Sequence, residues 1–139
     1  MILLDTNVLS ALMRQGRPDP AVVTWLDEQP AESIWTTSIT VFEIRTGIEL
    51  LELGRPRRQL NQLFTQILAE ELNGRIQAFD RTSALEAGTI AAQRKQSGQT
   101  VATRDVQIAG IAASRRAALA TRNIRLFEGM GVDLVNPWA

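Results

Sequence analysis

The sequence contains no cysteine and no histidine. The first absence excludes a disulfide framework, a thiolate nucleophile and any cysteine-ligated zinc site. The second excludes Ser-His-Asp and Cys-His triads, an imidazole general base and every histidine-bearing metal site. Catalysis by this chain therefore has to run on carboxylates, hydroxyls, arginines or a hard metal ion. Long apolar runs are also missing, none approaching the ~20 residues of a membrane span. Asp5 interrupts the one amino-terminal stretch that resembles a signal core, so a cytoplasmic location with no membrane partner is expected. Lysine is scarce: Lys95 is alone among fifteen basic residues. Arginine is the better bidentate partner for phosphate and carboxylate, although a genome rich in G and C gives the same bias without function. Net charge is absent too, fifteen acidic residues cancelling fifteen basic ones. Bulk electrostatics thus give no reason for tight non-specific nucleic-acid binding, and a local basic surface stays open.

What is present fits one domain spanning residues 1–139, with 45% hydrophobic content to build a single core. The run Ile2-Leu3-Leu4 breaking at Asp5-Thr6-Asn7 reads as a buried strand that delivers a carboxylate to its carboxyl edge. Taken alone, Asp5 reads more readily as a cap of the helix that follows, and it is the acids at equivalent edges later in the chain that favour the site. Asn7 is expected to cap a first helix carrying Val8, Leu9, Leu12 and Met13, and Asp19-Pro20 opens a second with Ala21, Val22, Trp25 and Leu26 inward. Residues 33–37 make a second strand. Ser38 is the expected cap of a helix reaching about Leu53, with Glu43 in its first turns and Arg45 on its polar side. A further helix covers about 57–72. A third strand follows at Ile76, Ala78 and Phe79, and then a helix opened by Thr82 or Ser83. Thr103 looks like the cap of a helix holding Asp105 in its first turn, where the dipole alone favours an acid. Residues 117–121 form a fourth strand whose exit is Thr121-Arg122-Asn123, and Asp133-Leu134-Val135 adds an edge strand.

Strands alternating with helices imply right-handed crossovers and a mostly parallel sheet covered on both faces. Ligands in such folds bind beyond the carboxyl ends of the strands, where strand order reverses. Asp5, Glu43, Asp105 and Asn123 all fall on that edge from distant parts of the sequence. Carboxylates brought together persist mainly when a hard cation neutralises them, and oxygen ligands without His or Cys select magnesium or manganese. A cluster of this kind is expected to strain the cation-free protein. Such a metal can activate water and stabilise charge on a phosphoryl oxygen, so the suggested substrate is a phosphodiester.

Ile2-Leu3-Leu4-Asp5-Thr6-Asn7, Glu43-Ile44-Arg45, Asp105 with Ile108-Ala109, Thr121-Arg122-Asn123 and the closing Val135-Asn136-Pro137-Trp138 together resemble PIN-domain ribonucleases. They are most similar to the VapC-type toxins of toxin-antitoxin pairs, FitB-like members included. The resemblance implies a three-layer α/β/α domain with a central, mostly parallel sheet of four to five strands. It also implies magnesium- or manganese-dependent cleavage of RNA and a homodimer. An antitoxin protein encoded beside the chain would inhibit it and supply any contact with DNA. By position, Asp5, Glu43 and Asp105 match the family's metal-binding acids. Asn123 stands where many members carry a fourth acid, and it supplies a carbonyl oxygen without charge. Thr6 and Thr121 can orient water or phosphate, or act as caps. Two alternatives remain: an interaction module that binds an antitoxin or magnesium without cleaving RNA, and a magnesium-binding signalling cleft of the receiver type. The second lacks the lysine it needs after a late strand, because Lys95 lies in a helical segment.

Overall fold

A computed structural model describes residues 1–14 and 16–139 of the chain. Its elements in order are β1 (Ile2–Leu4), α1 (Thr6–Leu12), α2 (Pro20–Asp27), β2 (Ile34–Thr37), α3 (Ser38–Glu49) and α4 (Arg55–Gln66). They continue with β3 (Ile76–Gln77), α5 (Arg81–Gln96), α6 (Thr103–Arg115), β4 (Ala118–Ala120), α7 (Ile124–Phe127) and β5 (Leu134–Val135). The strands form one parallel sheet in the order β3-β2-β1-β4-β5.

The side-chain period of two divides each central strand between two cores. Leu4 and Ala120 point into one, with Val8, Leu9, Val22, Ile44, Ile48 and Phe64 from α1 to α4. Leu3 and Leu119 point into the other, with Ile90, Val106, Ile108, Ile111 and Phe127 from α5, α6 and α7. This is the expected three-layer α/β/α arrangement. The chain winds from β1 outward to β2 and β3 on one side, then crosses to β4 and β5 on the other. Strand order therefore reverses between β1 and β4, and the crevice at their carboxyl ends is where such folds bind ligands.

Several caps differ from expectation. Asp5, not Asn7, caps α1, its carboxylate accepting from Thr6 N at 2.8 Å. Asn7 is taken by a tertiary partner, its Oδ1 accepting from Arg122 N at 3.0 Å. Thr37 replaces Ser38 as the cap of α3 because its hydroxyl reaches Thr40 N, while Ser38 Oγ accepts from Phe79 N. Asp80 rather than Thr82 or Ser83 caps α5, and Ala102 rather than Thr103 precedes α6 without a side-chain cap. Helix α3 stops at Glu49 instead of about Leu53, and Leu53 is exposed.

The paired helices α5 and α6 pack with little room at Gly110, where an added Cβ would lie 2.5 Å from Ser83 O. Beside that crossing, Arg115 Nη1 and Nη2 of α6 each donate to Asp80 at 3.1 Å. Asp80 Oδ1 also accepts from Ser83 N and Ser83 Oγ. The Arg115 guanidinium first, and then the Ser83 donors, hold the Asp80 carboxyl well below its usual range. A carboxyl depressed by folding contributes stability that is complete above its unfolded pKa and is lost as pH falls toward the folded one. Asp80→Asn is therefore expected to lower Tm near neutral pH, and the gap to wild type should narrow once pH drops below about 4. Thermal melts of both proteins across that range check this; a gap independent of pH would mean the ionised form of Asp80 contributes nothing.

Candidate active site

Asp5 leaves β1 fully buried, with its backbone NH donating to Ala120 O of β4 at 2.9 Å. Its position is thus fixed by the strand pairing at the point of reversal. Both carboxylate oxygens are engaged. Oδ1 accepts from Thr6 N at 2.8 Å and Oδ2 from Thr121 Oγ1 at 2.8 Å. Asn7 Nδ2 adds a longer contact to Oδ2 at 3.4 Å and reaches Thr121 Oγ1 at 3.3 Å. Asn7 and Thr121 in this way tie together the exits of β1 and β4.

Glu43 lies in the second turn of α3 and Asp105 in the first turn of α6. The Thr6 hydroxyl donates to Glu43 Oε1 at 2.6 Å, so Thr6 links the first and second acids. The three carboxylates meet on one side chain, Arg104. Its Nη2 donates to Asp5 Oδ1 at 2.5 Å, its Nη1 to Asp105 Oδ1 at 2.7 Å, and its Nε to Glu43 Oε1. Nη2 also reaches Thr6 Oγ1 at 2.9 Å. Burial opposes the charge on Arg104, but the negative charge of Asp5, followed by the bonds and charge of Glu43 and the bond to Asp105, outweighs it. The guanidinium is held well above its usual range.

Asn123 stands apart from its three companions. It is exposed, and the cluster reaches it through its backbone, its NH donating to Thr121 Oγ1 at 3.0 Å. A hollow of about 530 Å³ lined by Leu9, Leu12, Leu26, Leu63 and Leu72, with Asp27 and Glu71 also in its lining, touches none of Asp5, Glu43 and Asp105. Its lining is mostly apolar and belongs to the α1–α4 layer, away from the strand-edge cleft.

Arg104 is the residue that sequence reasoning missed, although a signal was present. An arginine in the first turn of a helix sits at the positive end of the dipole, where a cation is disfavoured. A broken local rule of this kind points to a tertiary partner, here three acids. It also offsets part of the repulsion expected in the metal-free protein, since the carboxylates share one cation already. The donor set, carboxylates and hydroxyls without nitrogen or sulfur ligands, fits a hard dication. Among the described residues no group of three acids is already closed tightly enough to hold a metal ion. Their oxygens are spread around a guanidinium.

Comparison with known proteins gives a consistent assignment. The chain is 36% identical over 138 residues to VapC ribonuclease Y4jK of Sinorhizobium fredii, covering 99% of this chain and 98% of that protein. It is also 36% identical over 138 residues to toxin FitB of Neisseria gonorrhoeae, covering 99% of both. A solved structure of FitAB bound to a DNA fragment aligns with a TM-score of 0.90 at 36% identity, covering 100% of this chain and 96% of that one. The model of the PIN domain matches residues 2–131, a span holding Asp5, Glu43, Arg104, Asp105 and Asn123, and the chain belongs to the PIN-domain family.

Proposed function

We propose that the chain is a divalent-metal-dependent endoribonuclease acting as the toxin of a toxin-antitoxin pair. The observation that carries this reading is the convergence of Asp5, Glu43 and Asp105 on a single cationic group at the sheet's point of reversal. Asp5, Glu43 and Asp105 are the residues that would hold magnesium or manganese, with Asn123 at the rim as a neutral fourth member. Bound there, the ion would supply Lewis-acid stabilisation of phosphoryl charge and would lower the pKa of a water.

The protein's own part is positioning. Asp5 is held by strand pairing and by Thr121, so its carboxylate cannot turn away from the cleft. The Thr6 hydroxyl, donating to Glu43, orients the second acid against the first. Such support shells fix ligand geometry, and disturbing them commonly costs 10- to 100-fold in affinity or activity. The site chemistry and the relatives' names support an RNA substrate, an antitoxin protein whose basic side chain can replace the cation, and DNA only through that antitoxin; a second copy of the chain is what the family resemblance implies. Exposed Phe42 and Leu50 on and beside α3 offer an apolar surface for such protein contacts.

The deciding experiment is cleavage of an end-labelled RNA by the purified chain with magnesium, with manganese and with EDTA. Cleavage in both metals and none in EDTA is expected. The competing reading, a non-catalytic module, draws on Asp5 capping α1 and on the Arg104 ion pairs. It predicts antitoxin binding with no cleavage under any of these conditions.

A further inference from the structure

We infer that Arg104 is a built-in, displaceable counter-cation: it holds Asp5, Glu43 and Asp105 together while no dication is bound and has to swing out before one can enter. The inference rests on the reading of those acids as cation ligands. It goes beyond that reading by assigning the chain its own brake on metal loading.

The geometry carries the argument. A guanidinium presents its donors in a rigid planar fork, and here three different nitrogens of one fork each serve a different carboxylate. The oxygen Arg104 takes from Asp5 is Oδ1, which without Arg104 keeps one donor, Thr6 N, whereas Oδ2 keeps two, Thr121 and Asn7. Oδ1 is therefore the oxygen with which Asp5 would meet a shared ion. Arg104 and a dication bound directly by the same acids need the same oxygens and the same space. One excludes the other.

Release is feasible because Arg104 is not part of a packed core. Its side chain is 28% exposed, against none for Asp5, and its neighbours Ala102 and Thr103 are exposed. Leaving the cleft also moves a cation away from the positive end of α6. The charges favour exchange as well: three carboxylates against one guanidinium leave a formal charge of two negative, which a monovalent plug does not compensate. A ligand that binds only the open form has its apparent affinity reduced by the fraction of molecules that are open. The wild-type chain should thus need more metal than the bare carboxylate set would. Below that threshold the acids stay paired, the cleft stays shut to the ion, and the protein keeps its fold without metal.

The test is a magnesium titration of the wild-type protein, watched through the arginine Nε–H resonances by NMR and in parallel by calorimetry. Arg104→Lys assigns the Arg104 signal. In EDTA that signal should be slowed in exchange by its carboxylate partner. It should lose this protection in step with the calorimetric binding curve. Arg104→Ala should then bind magnesium at least about tenfold more tightly than wild type. Magnesium binding by calorimetry with the Arg104 signal unchanged would overturn the plug and leave the metal site standing. No binding by either protein at millimolar magnesium would overturn both, leaving Arg104 a structural ion pair. Should Arg104→Ala fail to fold without metal, the wild-type titration still decides.

Discussion

Asp5→Asn is expected to lower RNA cleavage by at least about 100-fold while leaving the protein folded, the lower bound being set by what disturbing a ligand's support alone can cost. The two halves of that expectation have separate causes. The amide oxygen of the new side chain can still cap α1 through Thr6 N and still accept from Arg104, so local structure survives. The amide nitrogen replaces Oδ2, which now accepts from Thr121 Oγ1. Thr121 Oγ1 already accepts from Asn123 N and Asn7 Nδ2, so it cannot accept from the amide as well, and the lost contact costs about 1 to 3 kcal/mol, which lowers stability without unfolding the protein. What cannot be recovered is the charge. A site reduced from three carboxylates to two holds a dication less well, and ligand charge count is a main determinant of affinity for hard cations. End-labelled RNA cleavage in magnesium, paired with a thermal melt, reads both parts. Cleavage at the wild-type rate by folded Asp5→Asn would remove Asp5 from the chemistry.

That Asp5 both caps a helix and faces the cleft shows why a single sequence stretch supported two readings. Asp, Thr and Asn all accept hydrogen bonds at helix starts, and their order in residues 5–7 does not say which one does so. The choice is made by partners far away in sequence: Arg122 N takes Asn7, and Thr6 turns to Glu43. The sheet was more legible, because buried strands announce themselves as apolar runs and the two faces of β1 separate by simple alternation. The placement of Glu43 and Asp105 on the same edge as Asp5 followed from topology. Their sharing of Arg104 did not, since an arginine at the positive end of a helix points to some tertiary partner without saying which. Helix α7, four residues long, is too short to show a period. The spacing overshoots the end of α3 because Leu51 keeps the helical interval past the true stop at Glu49, yet Leu51 and Leu53 are exposed.

Thr121→Val should destabilise the protein by about 3 kcal/mol and impair cleavage with it, the former because the substitution keeps the shape of a fully buried side chain and deletes its only polar atom. Thr121 Oγ1 has three partners: it donates to Asp5 Oδ2 at 2.8 Å and accepts from Asn123 N at 3.0 Å and Asn7 Nδ2 at 3.3 Å. Hydrogen bonds to charged groups contribute about 1.5 to 3 kcal/mol each, and a buried group left without its partner adds its desolvation cost. After substitution, Asp5 Oδ2 keeps only the 3.4 Å contact from Asn7, near the limit of a useful bond. Water cannot easily take over, because Asp5 and Thr121 are both fully buried. Thr121→Ser separates the hydroxyl from the methyl group. It retains the hydroxyl and deletes one buried methyl, a loss of roughly 1 kcal/mol from transfer and packing. Denaturant unfolding of the three proteins gives the stabilities, and RNA cleavage in saturating magnesium gives the functional consequence. The serine variant should stay close to wild type in cleavage while the valine variant falls about 10- to 100-fold, as expected of a group that orients a metal ligand. If serine and valine were equally destabilised and equally impaired, the methyl group would matter rather than the hydroxyl, and Thr121 would be a packing residue with no part in positioning Asp5.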